Sequence, residues 1–479
     1  MSTLAEALGV RPGDVVAFVG AGGKTSAMMR LARELASQGR TVVVTTTTHI
    51  WEPLFGQVAA VVLEPDGAAL LRQLPALLRQ FGVVAVASGY TEPAPGKPYR
   101  KLAGISPALV DGIAALPGVD NVLVEADGAR GRSLKAPADY EPVVPSCTTV
   151  LVPVAALDAL GRPLAEPTVH RPDLVAELSG LRPGDPITPL AVAAVLAHAR
   201  GGLKGRPDGA RVVPLLNKVE DAAQEQVALQ VARLLLRWPA IDHVVLGAVG
   251  VRSSPAGIRA VLRWEAASSR TAAAGPRIAA VVLAAGASRR FGSPKQLLLV
   301  AGRPMVARVT AAVLASQADE VLVVVGSRAG ETVQALAALP VRTVLNPEWE
   351  EGMSSSMRVG LTQLAPDVDA VLFVLADQIK LTPGEVDAVI GAYSQAISKE
   401  SPPPRMVAPV HGGQRGNPVL FDRSLFPELI TVTGDQGGRV LLKRHPDLVL
   451  EVEVPTDGVL KDVDTPQDVP SWEDGPASG

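Results

Sequence analysis

The sequence has few of the residues that disulfides, metal clusters and membrane spans require. Among its 479 residues there is one cysteine, Cys147, which excludes an internal disulfide and a cysteine cluster for zinc or iron–sulfur. The six histidines show no spacing typical of metal ligands. No apolar run reaches about 18 residues without charges or breakers, and the start MSTLAEALGV lacks the pattern of a signal peptide. We therefore expect a cytoplasmic protein with no membrane span.

Net charge is also small. Charged residues make up 19% of the chain and the formal net charge is −3, which gives no electrostatic reason to expect a nucleic-acid or anionic-membrane partner. Any bound anion must be held by a local site. Aromatic residues are only 3%, but hydrophobic residues are 47%, enough for packed cores, and the length suggests two or three domains.

Short β-branched runs alternate with longer amphipathic stretches along the whole chain. VVAFVG (15–20) precedes KTSAMMRLARELASQG (24–39), and TVVVTTTT (41–48) follows. VLVVVG (321–326) and AVLFVLAD (370–377) repeat the pattern in the second half. Continuous apolar strands that alternate with helices are typical of parallel sheets covered on both faces. The pattern predicts an α/β fold in both halves.

A change of composition divides the chain in two. A stretch that reads as helical, SPAGIRAVLRWEAA (254–267), is followed by the small and polar SSRTAAAGPR (268–277). We interpret this segment as a linker. The predicted organisation is an N-terminal domain over 1–267, a C-terminal domain over 278–470 and a flexible tail over 471–479.

The C-terminal half opens with an apolar strand that runs into a small-residue loop, AAVVLAAGASRRFGSPKQLLL. Small residues let the backbone approach a ligand, and its N–H groups can then face phosphate oxygens. Arg289 and Lys295 are suited to neutralising a triphosphate. The alternative is a solvated glycine turn with exposed cations. The residues predicted to bind the nucleotide are Leu283, Ala284, Ala285 and Gly286.

Aspartates follow two later segments of the same half. Asp377 ends the strand AVLFVLAD, and KDVDTPQD places Asp462 and Asp464 on a second short strand. Carboxylates at strand ends suit Mg²⁺, which takes a few carboxylates together with water and phosphate oxygens. Helix capping is the alternative for Asp377 and for Asp464.

An ordered set of motifs in this half resembles the MobA-like nucleotidyltransferases, and most of all the molybdenum cofactor cytidylyltransferases of the MocA type. The resemblance covers about residues 278–470 and implies a Rossmann-like nucleotidyltransferase fold. It also implies a reaction in which CTP and molybdenum-bound molybdopterin give the cytosine dinucleotide cofactor and pyrophosphate. The motifs are LAAGASRRFGSPKQLLLVAGRPMV, NPEWEEGMSSSMRVGL, VLFVLADQ, GNPVLF, GDQGGR and VDTPQD.

The resemblance also implies roles for single residues. Guanylyl members of the family carry LAGG where this chain has LAAG, so the methyl group of Ala285 is expected to favour a pyrimidine base. Ile379 replaces the family's proline and is expected to loosen the loop while leaving the carboxylate in place. The segments 352–358 and 434–439 are expected to hold the pterin, with a helix N-cap at Ser354 as the alternative. The implied triphosphate ligands are Arg289 and Lys295, and the implied magnesium ligands are Asp377 and Asp464.

The N-terminal half carries a shortened phosphate-loop pattern, GAGGKT (20–25), between a strand and a helix. The usual spacing requires an earlier glycine at the position of Phe18. Glu125 and Asp127 end another apolar strand, and Asp127 is predicted to hold Mg²⁺. For the segment 20–25, a plain glycine turn is the alternative to a phosphate loop. The residues predicted to bind a nucleotide here are Gly20, Gly22, Gly23, Lys24 and Thr25.

The motifs GAGGKTS, TTTTHI, EADGARGRSLKAP, EP, VHRP and NKVE occur in this order and resemble the selenium-dependent hydroxylase accessory family (YqeC-like). The resemblance covers about residues 10–250 and implies a P-loop-type nucleotide fold linked to molybdenum hydroxylase maturation. ATP or GTP is the expected ligand of this half. NKVE also resembles the guanine-reading segment of GTPases, although a plain turn is the alternative. Two interpretations apply to a further set of polar residues: they contact an anionic ligand, or they are solvated surface charges. These residues are Arg132, Lys135, His170 and Arg171.

Together the two halves favour a bifunctional maturation protein that uses Mg²⁺, CTP and Mo-molybdopterin and meets a molybdenum hydroxylase apoenzyme. Two alternatives remain open at this point. The C-terminal half is a guanylyl or sugar-phosphate transferase in one of them. In the other, the N-terminal half is a non-catalytic cofactor-binding module.

Overall fold

A computed structural model describes residues 2–51, 58–91, 101–250, 257–263, 275–287, 291, 294–399 and 403–463. The chain divides into two compact units, Met1–Trp264 and Glu265–Gly479. Of the predicted linker 268–277, residues 275–277 are described, and the predicted tail 471–479 lies outside the described residues.

The first unit is built on one large sheet with helices between its strands. The strands are β1 (Val15–Gly20), β2 (Val42–Thr46), β3 (His49–Trp51), β4 (Ala60–Leu63), β5 (Val83–Ala87), β6 (Gly89–Tyr90), β7 (Lys101–Ala103), β8 (Asn121–Glu125), β9 (Leu134–Lys135), β10 (Val150–Ala156), β11 (Val169–His170), β12 (Arg211–Val212), β13 (Leu215–Asn217), β14 (His243–Ala248) and β15 (Gly257–Arg263). The helices are α1 (Leu4–Leu8), α2 (Lys24–Ser37), α3 (Gly67–Phe81), α4 (Pro107–Ala114), α5 (Pro172–Ser179), α6 (Pro189–Ala197) and α7 (Ala222–Leu236).

The strand order of the large sheet is β15-β14-β13-β10-β1-β8-β2-β5-β4, and β12 pairs with β10. Neighbouring strands are parallel except at the edge, where β15 runs antiparallel to β14. Burial on both faces explains the continuous apolar runs, and the predicted parallel α/β architecture is confirmed. The glycine loop after β1 therefore lies between two parallel strands at the carboxyl edge of the sheet.

One local prediction in this unit is wrong. The segment 254–267 was expected to be helical, but Gly257–Arg263 is the edge strand β15. Ile258, Val261 and Leu262 have the i, i+3, i+4 spacing of a helix face. Pairing with β14, which packs the partly buried Ile258 and Val261 against the core, decides the conformation instead.

The second unit also combines a mostly parallel sheet with helices. The strands are β16 (Ile278–Ala284), β17 (Leu299–Val300), β18 (Arg303–Pro304), β19 (Glu320–Val325), β20 (Arg342–Leu345), β21 (Ala370–Leu375), β22 (Met406–His411), β23 (Gln414–Arg415), β24 (Val419–Asp422) and β25 (Val449–Glu453). The helices are α8 (Met305–Leu314), α9 (Ala329–Ala335), α10 (Met353–Thr362), α11 (Pro383–Lys399), α12 (Phe426–Thr431) and α13 (Arg439–Arg444).

The order of this sheet is β20-β19-β16-β21-β24-β22-β23, with β25 paired to β22. The strands β20, β19, β16 and β21 are parallel, and β24 is antiparallel to β21. The first strand of the unit thus lies inside the sheet, and its loop opens at the carboxyl edge, where ligands bind in open α/β sheets. No helix in the described part of the chain is long and apolar enough to cross a membrane.

The single cysteine is half-buried in the first unit and is expected to react slowly. Burial and then the adjacent Asp111 carboxylate raise the pKa of the Cys147 thiol to about 12. At pH 8 only about one thiol in ten thousand is then a thiolate, which is the reactive form. We expect iodoacetamide to label Cys147 far more slowly than a small free thiol, and Asp111→Asn to speed labelling. Mass spectrometry of the intact chain measures both rates, and labelling as fast as that of glutathione would contradict the expected pKa.

Candidate functional site

The second unit has a cavity of about 380 Å³ at the carboxyl edge of its sheet. It opens where β16 and β21 end side by side, with Leu283 paired to Leu375 in the register. The predicted nucleotide-binding residues 283–286 and the predicted ligands Lys295 and Asp377 all line it. The remaining lining residues are Ala287, Gln296, Trp349, Glu350, Gly352, Met353, Ser356, Leu375, Ala376 and Asp435.

The charged centre of this cavity is an ion pair between Lys295 Nζ and Asp377 Oδ2. Lys295 Nζ also donates to the Val463 carbonyl oxygen at 3.1 Å, and the Val463 amide donates to the Asp377 carbonyl oxygen at 3.2 Å. The second carboxylate oxygen, Asp377 Oδ1, is buried and accepts no hydrogen bond from the described residues. A buried carboxylate oxygen that accepts no hydrogen bond is suited to binding a cation. The lysine beside it is suited to binding phosphate.

The loop that carries Asp377 is held firmly on its far side. Gln378 is fully buried, and its amide nitrogen donates to the Val459 carbonyl oxygen at 3.0 Å. Ile379, expected to loosen the loop, is also buried, and its carbonyl oxygen accepts from Arg308 Nε at 3.0 Å. These contacts fix the position of the carboxylate.

Ala285, in the glycine loop, lies close to Gly326, the residue that directly follows the neighbouring strand β19. Ala285 is only 3% exposed, and its carbonyl oxygen accepts a hydrogen bond from the Ser327 amide at 2.9 Å. A Cβ on Gly326 would come within 2.8 Å of Ala285 Cβ and 2.7 Å of Trp349 Cβ. Residue 326 is therefore restricted to glycine while Ala285 and Trp349, which both line the cavity, keep their places.

The start of α10 also lines this cavity, through Gly352, Met353 and Ser356, where the sequence predicted only a segment that holds the pterin. The helix begins at Met353 after the N-cap Gly352, so Ser354 is inside the first turn and is not the cap. The Met353 amide donates to Asp435 Oδ1 at 3.2 Å. Asn346 was not predicted, yet its amide nitrogen donates to Ser355 Oγ at 2.9 Å and holds the preceding turn.

Two predicted residues, Arg289 and Asp464, lie outside the described residues. The short strand predicted at KDVDTPQD is wrong over its described part, because 461–463 has no regular structure and follows a 3-10 helix at Asp457–Leu460. Val463 nevertheless hydrogen-bonds with Lys295 and Asp377, two residues that line the cavity. The described residues bring together no group of three or more His, Cys, Asp or Glu side chains that fits a metal ion.

The glycine loop of the first unit adopts a conformation that only glycine accommodates well. Gly20, Gly22 and Gly23 have φ of +90°, +86° and +123°. A Cβ on Gly23 would lie 2.3 Å from Asn217 Nδ2, and that same nitrogen donates to the Gly22 carbonyl oxygen at 2.7 Å. Asn217 thus holds the loop, and α2 begins directly afterwards at Lys24.

Lys24 is buried and its ammonium group is already occupied. Its Nζ donates to the Gly20 carbonyl oxygen at 2.6 Å and lies 3.1 Å from Asp127 Oδ1 and 3.9 Å from Glu125 Oε1. Burial lowers the pKa of Lys24, but the charges of Asp127 and Glu125 outweigh it, so the net pKa lies above the ordinary value. The lysine therefore stays charged at neutral pH.

The hydroxyl of Thr25 donates to Glu125 Oε2 at 2.5 Å. Burial raises the pKa of Glu125, and Lys24 and the Thr25 hydroxyl offset only part of that rise. A hydroxyl beside a carboxylate, at the start of the helix that follows a phosphate loop, is a donor pair suited to Mg²⁺. Asp127, the predicted metal ligand, accepts from the Gly20 amide at 3.1 Å and pairs with two lysines, and its metal role stays a prediction.

Other polar residues of the N-terminal motifs have different surroundings. Lys135 is fully buried, whereas Arg132 pairs with Glu166 at 2.5 Å near the surface. Lys218, in the GTPase-like segment, pairs with Asp158 at 2.7 Å. His49 is exposed at the start of β3.

Comparison with known proteins finds two families in separate parts of the chain. Residues 16–173 match the family described as YqeC protein, and residues 280–449 match the MobA-like NTP transferase domain. The first match contains the glycine loop with Lys24, and the second contains the cavity with Asp377.

Three curated relatives illustrate these similarities. The chain is 31% identical over 219 residues to the uncharacterized protein YqeC of Escherichia coli, covering 45% of this chain and 81% of that protein. It is 35% identical over 198 residues to nicotine blue oxidoreductase of Paenarthrobacter nicotinovorans, covering 40% and 93%. It is 39% identical over 132 residues to 2-C-methyl-D-erythritol 4-phosphate cytidylyltransferase of Streptomyces avermitilis, covering 26% and 52%.

Proposed function

We infer the function from the families to which the two halves belong. The chain belongs to the YqeC family in its N-terminal half and carries a MobA-like NTP transferase domain in its C-terminal half. The C-terminal domain is therefore a nucleotidyltransferase. We propose that it transfers CMP from CTP to Mo-molybdopterin, which gives molybdopterin cytosine dinucleotide and pyrophosphate. The observation that carries this proposal is the cavity in which the glycine loop, Lys295 and Asp377 meet.

The proposed reaction is an in-line substitution at the α-phosphorus of CTP. A terminal phosphate oxygen of the molybdopterin forms the new P–O bond, and the bond to the β-phosphate breaks with its electron pair leaving on pyrophosphate. The nucleophile is already anionic, so no general base is required. The backbone of 283–286 is proposed to bind the nucleotide, and Lys295, with Arg289 on resemblance, is proposed to stabilise the leaving charge.

The residues of the cavity fit a divalent ion. Asp377 Oδ1 is a hard oxygen donor that is buried, lacks a hydrogen bond from the described residues and lies next to the glycine loop. Asp377 would hold the ion, and Asp464 is proposed as the second ligand on resemblance. When bound, Mg²⁺ would neutralise the triphosphate and polarise its α-phosphate. Lys295, which pairs with Asp377 through Oδ2, is proposed to move to the phosphates.

The proposed preference for CTP rests on Ala285 and on similarity to a protein named as a cytidylyltransferase. If the methyl group narrows the base pocket against Gly326 and Trp349, Ala285→Gly should raise kcat/KM for GTP relative to CTP by roughly tenfold, the scale of one methyl group in an apolar pocket. Initial rates of pyrophosphate release with each nucleotide measure the ratio.

Ala284→Gly is the matched control, because it removes one methyl group from the neighbouring residue at the end of β16, away from the Gly326 contact. It should affect both nucleotides alike. An unchanged GTP-to-CTP ratio in Ala285→Gly would remove Ala285 from base selection. A guanylyltransferase, the second candidate, would instead prefer GTP in the wild-type protein.

The whole proposal is tested by incubating the purified chain with CTP or GTP, with and without Mo-molybdopterin. Pyrophosphate release should require both CTP and Mo-molybdopterin, and the cytosine dinucleotide should appear by mass spectrometry. Exclusive use of GTP or of a sugar phosphate as acceptor would contradict it.

For the N-terminal half, we propose nucleotide binding in the service of molybdenum hydroxylase maturation. The positive-φ glycine loop, the buried Lys24 and the Thr25–Glu125 pair support a phosphate site with Mg²⁺ held by Thr25 and Glu125. The proposed ligand is ATP or GTP, and the proposed partner is a molybdenum hydroxylase apoenzyme. Its joining to a cofactor-forming transferase in one chain is consistent with a shared pathway.

A further inference from the structure

A chain of alternating buried charges runs away from the N-terminal phosphate loop. Asp127 is shared by two lysines, with Lys24 Nζ 3.1 Å from Oδ1 and Lys135 Nζ 2.8 Å from Oδ2. Lys135 Nζ also lies 2.9 Å from Glu141 Oε1 and donates to the Gly128 carbonyl oxygen at 2.5 Å. A carboxylate and an ammonium group therefore alternate in the interior from the loop outward.

Lys135 is not placed to bind a ligand itself. Its side chain is 0% exposed, and its ammonium group has oxygen partners from three residues. Glu141 is fixed in turn by Arg171, whose guanidinium group also donates to the Tyr140 hydroxyl at 3.0 Å. This arrangement holds Lys135 beside Asp127.

Lys24, unlike Lys135, lies where a lysine can bind a ligand. It is the first residue of α2 directly after the glycines, which is the position from which a phosphate-loop lysine reaches the phosphates. To bind phosphate, its ammonium group must leave Asp127. The departure leaves a buried carboxylate, which is costly unless another cation remains next to it.

We propose that Lys135 is the positioning residue of this phosphate site, because it compensates Asp127 when Lys24 moves to the phosphates. Asp127 then acts as the resting partner of Lys24 and as an acceptor for the Gly20 amide, 3.1 Å away, and is not a ligand of the metal. This inference rests on the nucleotide binding proposed for the unit and adds the residues that control it.

The test is isothermal titration of the full chain with ATP and with GTP, each with Mg²⁺ and with EDTA. Lys135→Met should raise the Kd at least about tenfold, because Lys24 is then the sole cation left beside a buried charge. Asp127→Asn should leave the Kd equal to the wild-type value or lower it, in Mg²⁺ and in EDTA alike. The double variant Asp127→Asn/Lys135→Met should return to within about threefold of Asp127→Asn.

Lys204→Met is the matched control. Lys204 holds the segment just before Glu141, because it donates to the Ala138 and Asp139 carbonyl oxygens at 2.7 and 3.1 Å. It forms no ion pair with Asp127 or Glu141. It should bind nucleotide within about twofold of the wild type. A purely structural role for Lys135 would weaken binding in the double variant as well.

The outcomes separate the two proposals. If the wild type binds neither ATP nor GTP, the proposed nucleotide function of this unit is wrong, and the inference falls with it. If the wild type binds and Lys135→Met binds equally well, only the inference is wrong. Loss of Mg²⁺-dependent binding in Asp127→Asn would make Asp127 a metal ligand. If circular dichroism shows that Lys135→Met does not fold, the Kd of Asp127→Asn tests the inference alone, and a raised Kd would contradict it.

Discussion

Asp377→Asn should reduce the rate of nucleotidyl transfer by at least about a thousandfold, equivalent to about 4 kcal/mol of transition-state stabilisation. The substitution keeps the shape of the side chain but removes the negative charge that pairs with Lys295 and is proposed to hold Mg²⁺. Gln378 and Ile379 hold the loop from the other side, so the fold should remain intact. Pyrophosphate release with CTP and Mo-molybdopterin measures the rate, and circular dichroism checks the fold.

Asp369→Asn provides the control from the other end of the same strand. Asp369 lies directly before β21 at the amino edge of the sheet, where its Oδ2 accepts from the Arg277 amide at 2.7 Å. It should retain transfer within a fewfold of the wild type. Activity of Asp377→Asn within about tenfold of the wild type, in a chain with native circular dichroism, would refute the metal role.

Much of the fold was predictable from local patterns, because buried parallel strands leave continuous apolar runs. Val15–Gly20 and Ala370–Leu375 are such runs, and both are central strands. The segment 254–267 was not predictable in this way. Its apolar spacing fits a helix as well as a strand, and only the pairing of β15 with β14 decides between them. Pairing partners distant in the sequence leave no local signal.

The candidate sites were predictable as positions but not as contacts. A carboxylate at the end of a strand and a lysine after a glycine loop point to the same edge of a sheet, which places Lys295 and Asp377 together. Their direct ion pair spans 82 residues and depends on β16 and β21 being neighbours. The same holds for Asp127, which looks like a metal ligand in the sequence and contacts two lysines in the fold. Asn217 and Trp349 lie in motifs that the sequence shows, but those motifs did not predict the contact of Asn217 with the glycine loop or the place of Trp349 in the cavity wall.

Lys24→Met should abolish the binding of ATP or GTP to the N-terminal unit. A charged lysine at the start of the helix is the main cation available to the phosphates in the described part of this site, and charge-assisted hydrogen bonds are the strong ones. We expect the Kd to rise at least about a hundredfold, or about 2.7 kcal/mol. Lys24→Arg, which keeps the charge, should lose less, and equal binding by Lys24→Met and the wild type would contradict the phosphate-loop interpretation.

The same variant should also change how stability depends on pH. Burial already raises the pKa of Glu125, and removing the positive charge of Lys24 raises it further. A carboxyl group whose pKa is higher in the folded state binds more protons there than in the unfolded state, so stability falls as pH rises from the ordinary glutamate pKa through the raised one. Lys24→Met should therefore lose more stability relative to the wild type at pH 8 than at pH 5. Thermal unfolding of Lys24→Met and Lys24→Met/Glu125→Gln at both pH values measures this, because the double variant lacks the titrating group and should lose the extra sensitivity.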